Sequence, residues 1–139
     1  MQTFLPFPDF RASAETLDYR RLGKQRVEAF QLLMAIDDSW ALEGRVSKKG
    51  WRNHPAAIMW RPYPNALRLY MNTMIEEWIK RGYKNNMHFA PTQDVAMPIW
   101  FGDPTFHASH RSNLLRKDIV FYGKYGWQED QSLPYVWPT

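Results

Sequence analysis

The chain has 139 residues, 45% of them hydrophobic, which excludes a disordered polypeptide and fits one domain with a core of its own. A formal net charge of +4 is a modest basic bias that allows a nucleic-acid partner without requiring one. The absence of cysteine excludes disulfides, thiolate metal sites and a cysteine nucleophile.

The first ten residues, MQTFLPFPDF, predict an extended segment. Pro6 and Pro8 exclude a helix and push the residue before each of them away from the α region. The segment lacks the basic start and the continuous apolar run of a signal peptide. No stretch of the chain approaches the roughly 20 apolar residues that a membrane span needs. We therefore expect a cytoplasmic protein with no membrane partner.

The first long helix is predicted to begin after an N-cap at Ser13 or Thr16 and to end near Asp37. Its apolar residues share one side, and these are Leu22, Val27, Ala29, Phe30, Leu33 and Met34. The opposite side is a polar row of Arg21, Lys24, Gln25 and Glu28. Arg26 falls among the apolar residues, where a cation needs a partner or a ligand. Gly23 costs about 1 kcal/mol relative to alanine in mid-helix, which indicates that another group approaches closely.

The next residues predict a loop of mixed charge that runs to about Trp51 and Arg52. A short helix follows, with Pro55 at its first position. Pro64 begins the second long helix, which ends at Gly82. Apolar residues recur at helical spacing along this second helix and predict that one face of it lies in the core.

A third long helix is predicted after an irregular segment, residues 83–103. Asp103 is its expected N-cap and Pro104 its first residue, and an aromatic, turn-rich tail follows it. The sequence shows no repeat and no linker. Together the elements predict an all-α fold, a compact single domain over residues 1–139 with three main helices and several short ones.

Two groups of residues are candidates for a site. The first long helix carries the cations Arg20, Arg21, Lys24 and Arg26 within two turns. The third carries His107 and His110 at i, i+3 spacing, beside Arg111. The histidine pair is half of a zinc site, but no carboxylate pattern completes it, so we expect no metal and no cofactor. Solvation or core hydrogen bonding is the structural alternative for both groups, and contact with phosphates or bases is the functional one.

Four segments, LGKQRVEAFQLL, WRNHPAAIMW, IKRGY and HASHRSNLLRKD, resemble in this order the phage endonuclease V-like family of pyrimidine dimer DNA glycosylases. The resemblance implies a compact helical fold with the N-terminal segment packed between three helices. It also implies nucleotide flipping in damaged duplex DNA and cleavage of the N-glycosidic bond. An imine between the chain's α-amine and the sugar C1′ would then lead to β-elimination at the abasic site, with a glutamate of the first helix assisting. The serine nucleophile elbow, the P-loop and the dinucleotide-binding glycine loop have no match in this sequence.

Carried onto this sequence, the resemblance makes Met1 the candidate amine, because the long side chain of Gln2 normally blocks removal of the initiator methionine. The family's glutamate position falls on Arg21 or on Gly23, depending on the alignment. Glu28 is the nearest carboxylate on the polar row and is therefore the candidate acid or base.

His54 completes the catalytic candidates. With Trp51 and Arg52 it is expected to form a second wall of the site, after the first long helix, and His107, His110 and Arg111 are expected to form a third. DNA contacts are expected from the basic, aromatic and polar residues nearby, namely Arg20, Arg21, Lys24, Gln25, Arg26, Trp51, Arg52, His107, His110, Arg111 and Lys117. The expected partner is damaged duplex DNA, and the protein is expected to bind it as a monomer. Two alternatives stay open: a non-catalytic DNA-binding module on the same fold, and an enzyme of N-glycosides or nucleotides that uses His54, His107 and Glu28. A structural or partner-binding role is the remaining one.

Overall fold

The computed structural model describes residues 2–37 and 51–139. Within these ranges the chain forms six α-helices and no strand, which confirms the all-α prediction. The helices are α1 (Phe10–Thr16), α2 (Tyr19–Ile36), α3 (Pro55–Trp60), α4 (Pro64–Lys80), α5 (Pro104–Lys117) and α6 (Ile119–Tyr122). A 3₁₀ turn, Gly123–Tyr125, follows α6. Met1 and most of the predicted loop before Trp51 lie outside the described residues.

The first predicted helix is two helices, and both predicted N-caps are wrong. Asp9 caps α1 and Asp18 caps α2, each through its carboxylate. Ser13 lies inside α1, where its hydroxyl both accepts from the amide of Phe7 and donates to its carbonyl. The Thr16 hydroxyl bonds the carbonyl of Ser13, so neither side chain is available to cap. Aspartate also ranks among the strongest N-cap residues, which explains both helix starts.

The two longest helices, α2 and α4, pack along each other and form the centre of the fold. The apolar face of α2 is rotated from its predicted position, because Gln25 is buried on it while Val27 is 43% exposed. Gly23 allows the indole of Trp78 on α4 to approach, since a Cβ on Gly23 would lie 2.8 Å from that ring. The predicted close approach is therefore that of a side chain from the neighbouring helix.

The predicted starts of the other helices are confirmed. Proline occupies the first position of α3, α4 and α5, and Asp103 caps α5 by accepting the amide of Thr105. Between these helices lies a core that includes Trp60, Tyr70 and Phe106, each almost completely buried. In the part of the chain that the structure describes, none of the helices combines the length and the hydropathy that crossing a bilayer requires.

The N-terminal segment, residues 2–7, runs between α2, α4 and α5 instead of lying on the surface. Thr3, Phe4 and Leu5 are buried there, although the segment forms no regular structure that would pair its backbone groups. Its partners are side chains of the surrounding helices and of the C-terminal tail. This arrangement confirms the insertion that the family resemblance implies, and it places residues 2–4 against α2.

Candidate active site and nucleic-acid interface

Two buried histidines of α5 hold the backbone of Leu5. His110 Nδ1 accepts the Leu5 amide at 2.8 Å, and His107 Nδ1 lies 2.8 Å from the Leu5 carbonyl oxygen. His107 Nε2 in turn accepts the amide of Gly102 at 2.9 Å. These bonds require the Nδ1–H tautomer of His107 and the Nε2–H tautomer of His110. Burial lowers the pKa of His107 and lowers the pKa of His110 well below its usual value, so both imidazoles are neutral.

The predicted third wall of DNA-binding residues therefore lies inside the protein. His107 and His110 are buried, and their Nδ1 atoms are directed at the N-terminal segment. Arg111 forms an ion pair with Glu129 and donates to the Pro6 carbonyl at 2.7 Å. Sequence spacing placed the three on one helix face but did not show what that face contacts. Among the described residues, no group of three His, Asp or Glu side chains is arranged to hold a metal ion.

Gln25 of α2 binds the N-terminal segment from the other side. Its Nε2 donates to the Gln2 carbonyl at 2.9 Å and to Glu28 Oε2 at 3.2 Å. Its Oε1 accepts the Phe4 amide at 3.0 Å and the Tyr70 hydroxyl at 2.6 Å. These four bonds use the full capacity of a buried amide that was expected to contact DNA. The role of Gln25 is to hold residues 2–4 against α2.

Glu28 lies one turn after Gln25, at the point where the N-terminal segment reaches α2. Its Oε2 accepts the backbone amide of Gln2 at 3.3 Å, and its Oε1 lies 3.9 Å from the ammonium of Lys24. The Glu28 side chain is 12% exposed, so most of its surface is covered. The remaining surface opens into a cleft, which is where a substrate would meet this carboxylate.

The cleft has a volume of about 1100 Å³ and runs beside the N-terminal half of α2. Seven of the predicted site residues line it: Arg20, Arg21, Lys24, Gln25, Glu28, His54 and Lys117. The other lining residues were not predicted as site residues, and they are Gln2, Phe4, Asp18, Tyr19, Arg81, Tyr83, Asp118, Phe121 and Trp137. Three of the lining cations, Arg20, Lys24 and Lys117, are exposed, which gives the cleft a basic rim. Arg21 is paired with Asp18 at 3.2 Å.

Arg26 does not line the cleft, although it was predicted to bind DNA. Its guanidinium lies 4.2 Å from the ring centroid of Trp78 and donates to Asn85 Oδ1 at 2.8 Å. Burial lowers its pKa, and the cation–π contact supplies the partner that a half-buried cation needs. The inward position of Arg26 is thus explained by the packing of α2 on α4.

His54 is the N-cap of α3, and its position in the cleft follows from that role. Its Nδ1 accepts the Ala56 amide at 3.0 Å, and burial lowers its pKa. The neutral imidazole therefore carries its proton on Nε2 and offers a hydrogen-bond donor. The rings of Trp51 and Trp137 lie 5.6 and 5.7 Å from it, centroid to centroid. Trp51 and Arg52, predicted with His54 as one wall, are exposed and do not line the cleft.

Asp18 joins two sides of the cleft, and sequence reasoning missed it as a site residue. It accepts from the Tyr122 hydroxyl, and its own amide donates to the same oxygen at 3.1 Å. Burial opposes ionisation of Asp18, but the hydrogen bonds from Tyr122 and Arg21 outweigh it and lower the pKa. The N-cap preference of aspartate is the local signal that could have found Asp18. No comparable local signal identifies its partner, Tyr122, which lies 104 residues further along the chain.

Residues 1–91 match the family described as pyrimidine dimer DNA glycosylase. The matched segment carries the N-terminal residues, α1 to α4, Glu28 and His54, and it spans well over half of the chain. Comparison with the curated proteins and with the solved structures found no match. With a matched segment of this extent, and with the inserted N-terminus beside a helix-borne glutamate in a basic cleft, the chain belongs to the pyrimidine dimer DNA glycosylase family, a family of DNA-repair glycosylases.

Proposed function

We propose that the chain cleaves the N-glycosidic bond of damaged, pyrimidine dimer-like bases in duplex DNA and then acts as an abasic-site lyase. The observation that carries this proposal is the contact between the Gln2 amide and Glu28 at the edge of the basic cleft. It brings residue 2 to a carboxylate that lines a cleft of about 1100 Å³ with exposed cations on its rim. Both steps of the proposed chemistry use this juxtaposition.

Covalent geometry limits the distance between the α-amine and Glu28. Three bonds join the α-nitrogen of Met1 to the amide nitrogen of Gln2, which amounts to at most about 4.3 Å of bond length. That amide nitrogen is 3.3 Å from Glu28 Oε2, so the α-nitrogen is within roughly 8 Å of the carboxylate. This limit is compatible with Met1 as the candidate amine.

The proposed reaction uses this amine as a nucleophile. An α-amine has a pKa of about 7.7 to 8.0, so a useful fraction is neutral near pH 7.5 and attacks the sugar C1′. The N-glycosidic bond breaks, and its electron pair leaves with the base, which takes up a proton. Glu28 accepts a proton from the attached nitrogen and passes it to O4′, so the C1′–O4′ bond breaks and the protonated imine forms. The carboxylate, ionised again, then removes a proton from C2′, and β-elimination expels the 3′ phosphate. Water hydrolyses the imine and frees the amine.

The remaining cleft residues have binding roles in this proposal. Arg20, Lys24 and Lys117 contact phosphates, because all three are exposed on the rim. His54 donates its Nε2–H to an oxygen of the sugar or the departing base. Extrusion of the damaged nucleotide into the cleft costs less than extrusion of a paired one, which favours lesions as substrates.

The test is borohydride trapping on duplexes that contain a cyclobutane dimer or an abasic site. We expect base release, strand cleavage and a covalent adduct that peptide mapping assigns to Met1. Glu28→Gln should lower the rate of base release by about 100-fold or more, in the range of a lost acid–base group, while binding changes little. Exposed Glu15 on α1 provides a matched control, since Glu15→Gln should keep the wild-type rate.

Two results would contradict the proposal or part of it. A wild-type chain that gives no adduct and no base release is not a glycosylase of this kind. If it still binds DNA with a strong salt dependence, it is a binding module, and activity on free nucleotides without DNA affinity indicates a nucleotide-processing enzyme. Base release without any adduct at Met1 would support the glycosylase activity but contradict the mechanism that uses the amine.

A further inference from the structure

Two adjacent aliphatic residues project from α6 next to the cleft. Val120 is 89% exposed and Ile119 is 49% exposed. Single exposed apolar residues need no explanation, but these two are contiguous and lie between cleft-lining residues, Lys117 and Asp118 on one side and Phe121 on the other. We call Ile119 and Val120 the α6 tip.

The α6 tip is held rigidly against the rest of the site. Tyr122 is fully buried, and its hydroxyl bonds both the amide and the carboxylate of Asp18 at the start of α2. Asp118 caps α6 by accepting the Phe121 amide at 3.1 Å. Both exposed side chains are β-branched and stiff at χ1. The tip is thus fixed relative to the cleft floor, as a group that separates stacked bases has to be.

The charges around the α6 tip indicate its occupant. Lys117 precedes it and Lys124 follows it in the chain, both are exposed, and the Lys124 ammonium is 3.9 Å from the ring centroid of Phe121. An apolar projection flanked in the chain by two exposed cations is complementary to a base stack between two phosphate backbones. Proteins that kink duplex DNA commonly insert aliphatic side chains of this kind between base steps.

We propose that the α6 tip inserts into the base stack of duplex DNA and fills the gap left when a nucleotide is extruded into the cleft. The inference rests on the proposed function, because it requires the damaged duplex to bind across the same cleft. Val120 contacts the faces of the neighbouring bases, and Ile119 supports it from the side nearer to Lys117. The tip therefore contributes to recognition of weakly stacked sites and takes no part in the bond-breaking steps.

The test compares Val120→Ser with Ile99→Ser, since Ile99 is 90% exposed and, unlike the tip, has no cleft-lining residue next to it in the chain. Binding is measured at one salt concentration to an intact duplex and to a duplex with an abasic site flanked by 2-aminopurine. Val120→Ser should bind the abasic duplex about tenfold more weakly, the scale of one lost apolar contact, and give less 2-aminopurine fluorescence. The intact duplex should bind within about twofold of wild type, and Ile99→Ser should behave as wild type throughout.

Further measurements distinguish failure of the inference about the α6 tip from failure of the proposed function on which it rests. Val120→Ile restores the fluorescence if an aliphatic wedge is required. If the wild type cleaves DNA but Val120→Ser shows unchanged binding and unchanged 2-aminopurine fluorescence, the inference about the α6 tip is overturned and the proposed function stands. A wild type that binds neither duplex overturns both. Binding to phosphatidylglycerol vesicles, or a dimer, that is lost in Val120→Ser would assign the tip to a membrane or a second copy and would also overturn the inference.

Discussion

At the scale of single residues, Gln25 connects the start of the chain to the candidate carboxylate through one side-chain amide. It bonds the Gln2 carbonyl and Glu28 with its nitrogen, and the Phe4 amide and Tyr70 hydroxyl with its oxygen. A glutamate could not make the two donor bonds, and an aliphatic residue could make none of the four. The exposed cations are more obvious in the sequence, but this buried residue determines where Gln2 meets Glu28.

Gln25→Leu keeps the approximate volume of the side chain and removes all four bonds. The Phe4 amide and the Gln2 carbonyl would then lose their partners in a covered environment, at roughly 1 to 3 kcal/mol for each buried group. We expect the free energy of unfolding in urea to fall by about 2 to 4 kcal/mol. Gln31→Leu, a half-buried change on the same helix, should cost less than about 1 kcal/mol. An equal fall in the free energy of unfolding in the two variants would contradict the stabilising role given to the four bonds of Gln25.

At the scale of elements, α5 and the N-terminal segment depend on each other through two neutral histidines. A second proton would break the bond from the Leu5 amide to His110 Nδ1 and the bond from the Gly102 amide to His107 Nε2, and burial lowers the pKa of both rings. Below about pH 6.5, the usual pKa of histidine, the unfolded chain takes up protons that the folded chain does not. Stability contributed by these rings is therefore complete above that pH and is lost as the pH falls below it.

We expect the free energy of unfolding to fall between about pH 6.5 and 5, with a limiting slope of about 1.4 kcal/mol per pH unit for each buried histidine. His110→Gln keeps an acceptor for the Leu5 amide but does not titrate, so it should remove one histidine's share of the slope. His88→Gln is the control, because an exposed imidazole meets solvent in both states. Urea unfolding at several pH values measures the slopes, and an identical slope in wild type and His110→Gln would refute the assignment.

At the scale of the whole molecule, the cleft collects cations from two distant parts of the chain. Arg20 and Lys24 come from α2 and Lys117 from the end of α5, and the bond between Asp18 and Tyr122 ties these regions together. Acidic residues elsewhere reduce the net charge to +4, so composition alone shows only a weak basic bias. The concentration of exposed cations around one opening is what favours DNA.

Phosphate contacts by these cations predict a specific salt dependence. Arg20→Ala and Lys117→Ala should each reduce the slope of log K against log salt concentration by about 0.9, the value for one phosphate contact on duplex DNA. The exposed Lys80 at the end of α4 does not line the cleft, so Lys80→Ala should leave the slope unchanged. Fluorescence anisotropy at four or five salt concentrations measures these slopes. Equal slopes in all variants would place the DNA elsewhere.

The sequence by itself determined the family and most of the helical elements, although it merged α1 and α2 into one helix. Proline at the first helical position, aspartate at Asp103 and glycine at Gly82 act within one turn of the chain, so their effects can be read without knowledge of the fold. The same holds for Arg21, Lys24 and Glu28 of the polar row on α2, although not for Gln25, and for the expectation that Gly23 admits a close neighbour. The resemblance carried in four short segments supplied the inserted N-terminus.

Only the tertiary structure decided which polar residues face the cleft. A helical period places His107, His110 and Arg26 on a face, but it does not show what packs against that face. The partner of His110 is 105 residues away, and the partner of Arg26 is 59 residues away. Buried polar groups must be paired, and here the pairs form between distant segments that meet only in the folded chain. For this reason the sequence predicted Glu28 and the basic rim, whereas the bonds that hold Gln2 against Glu28 required the fold.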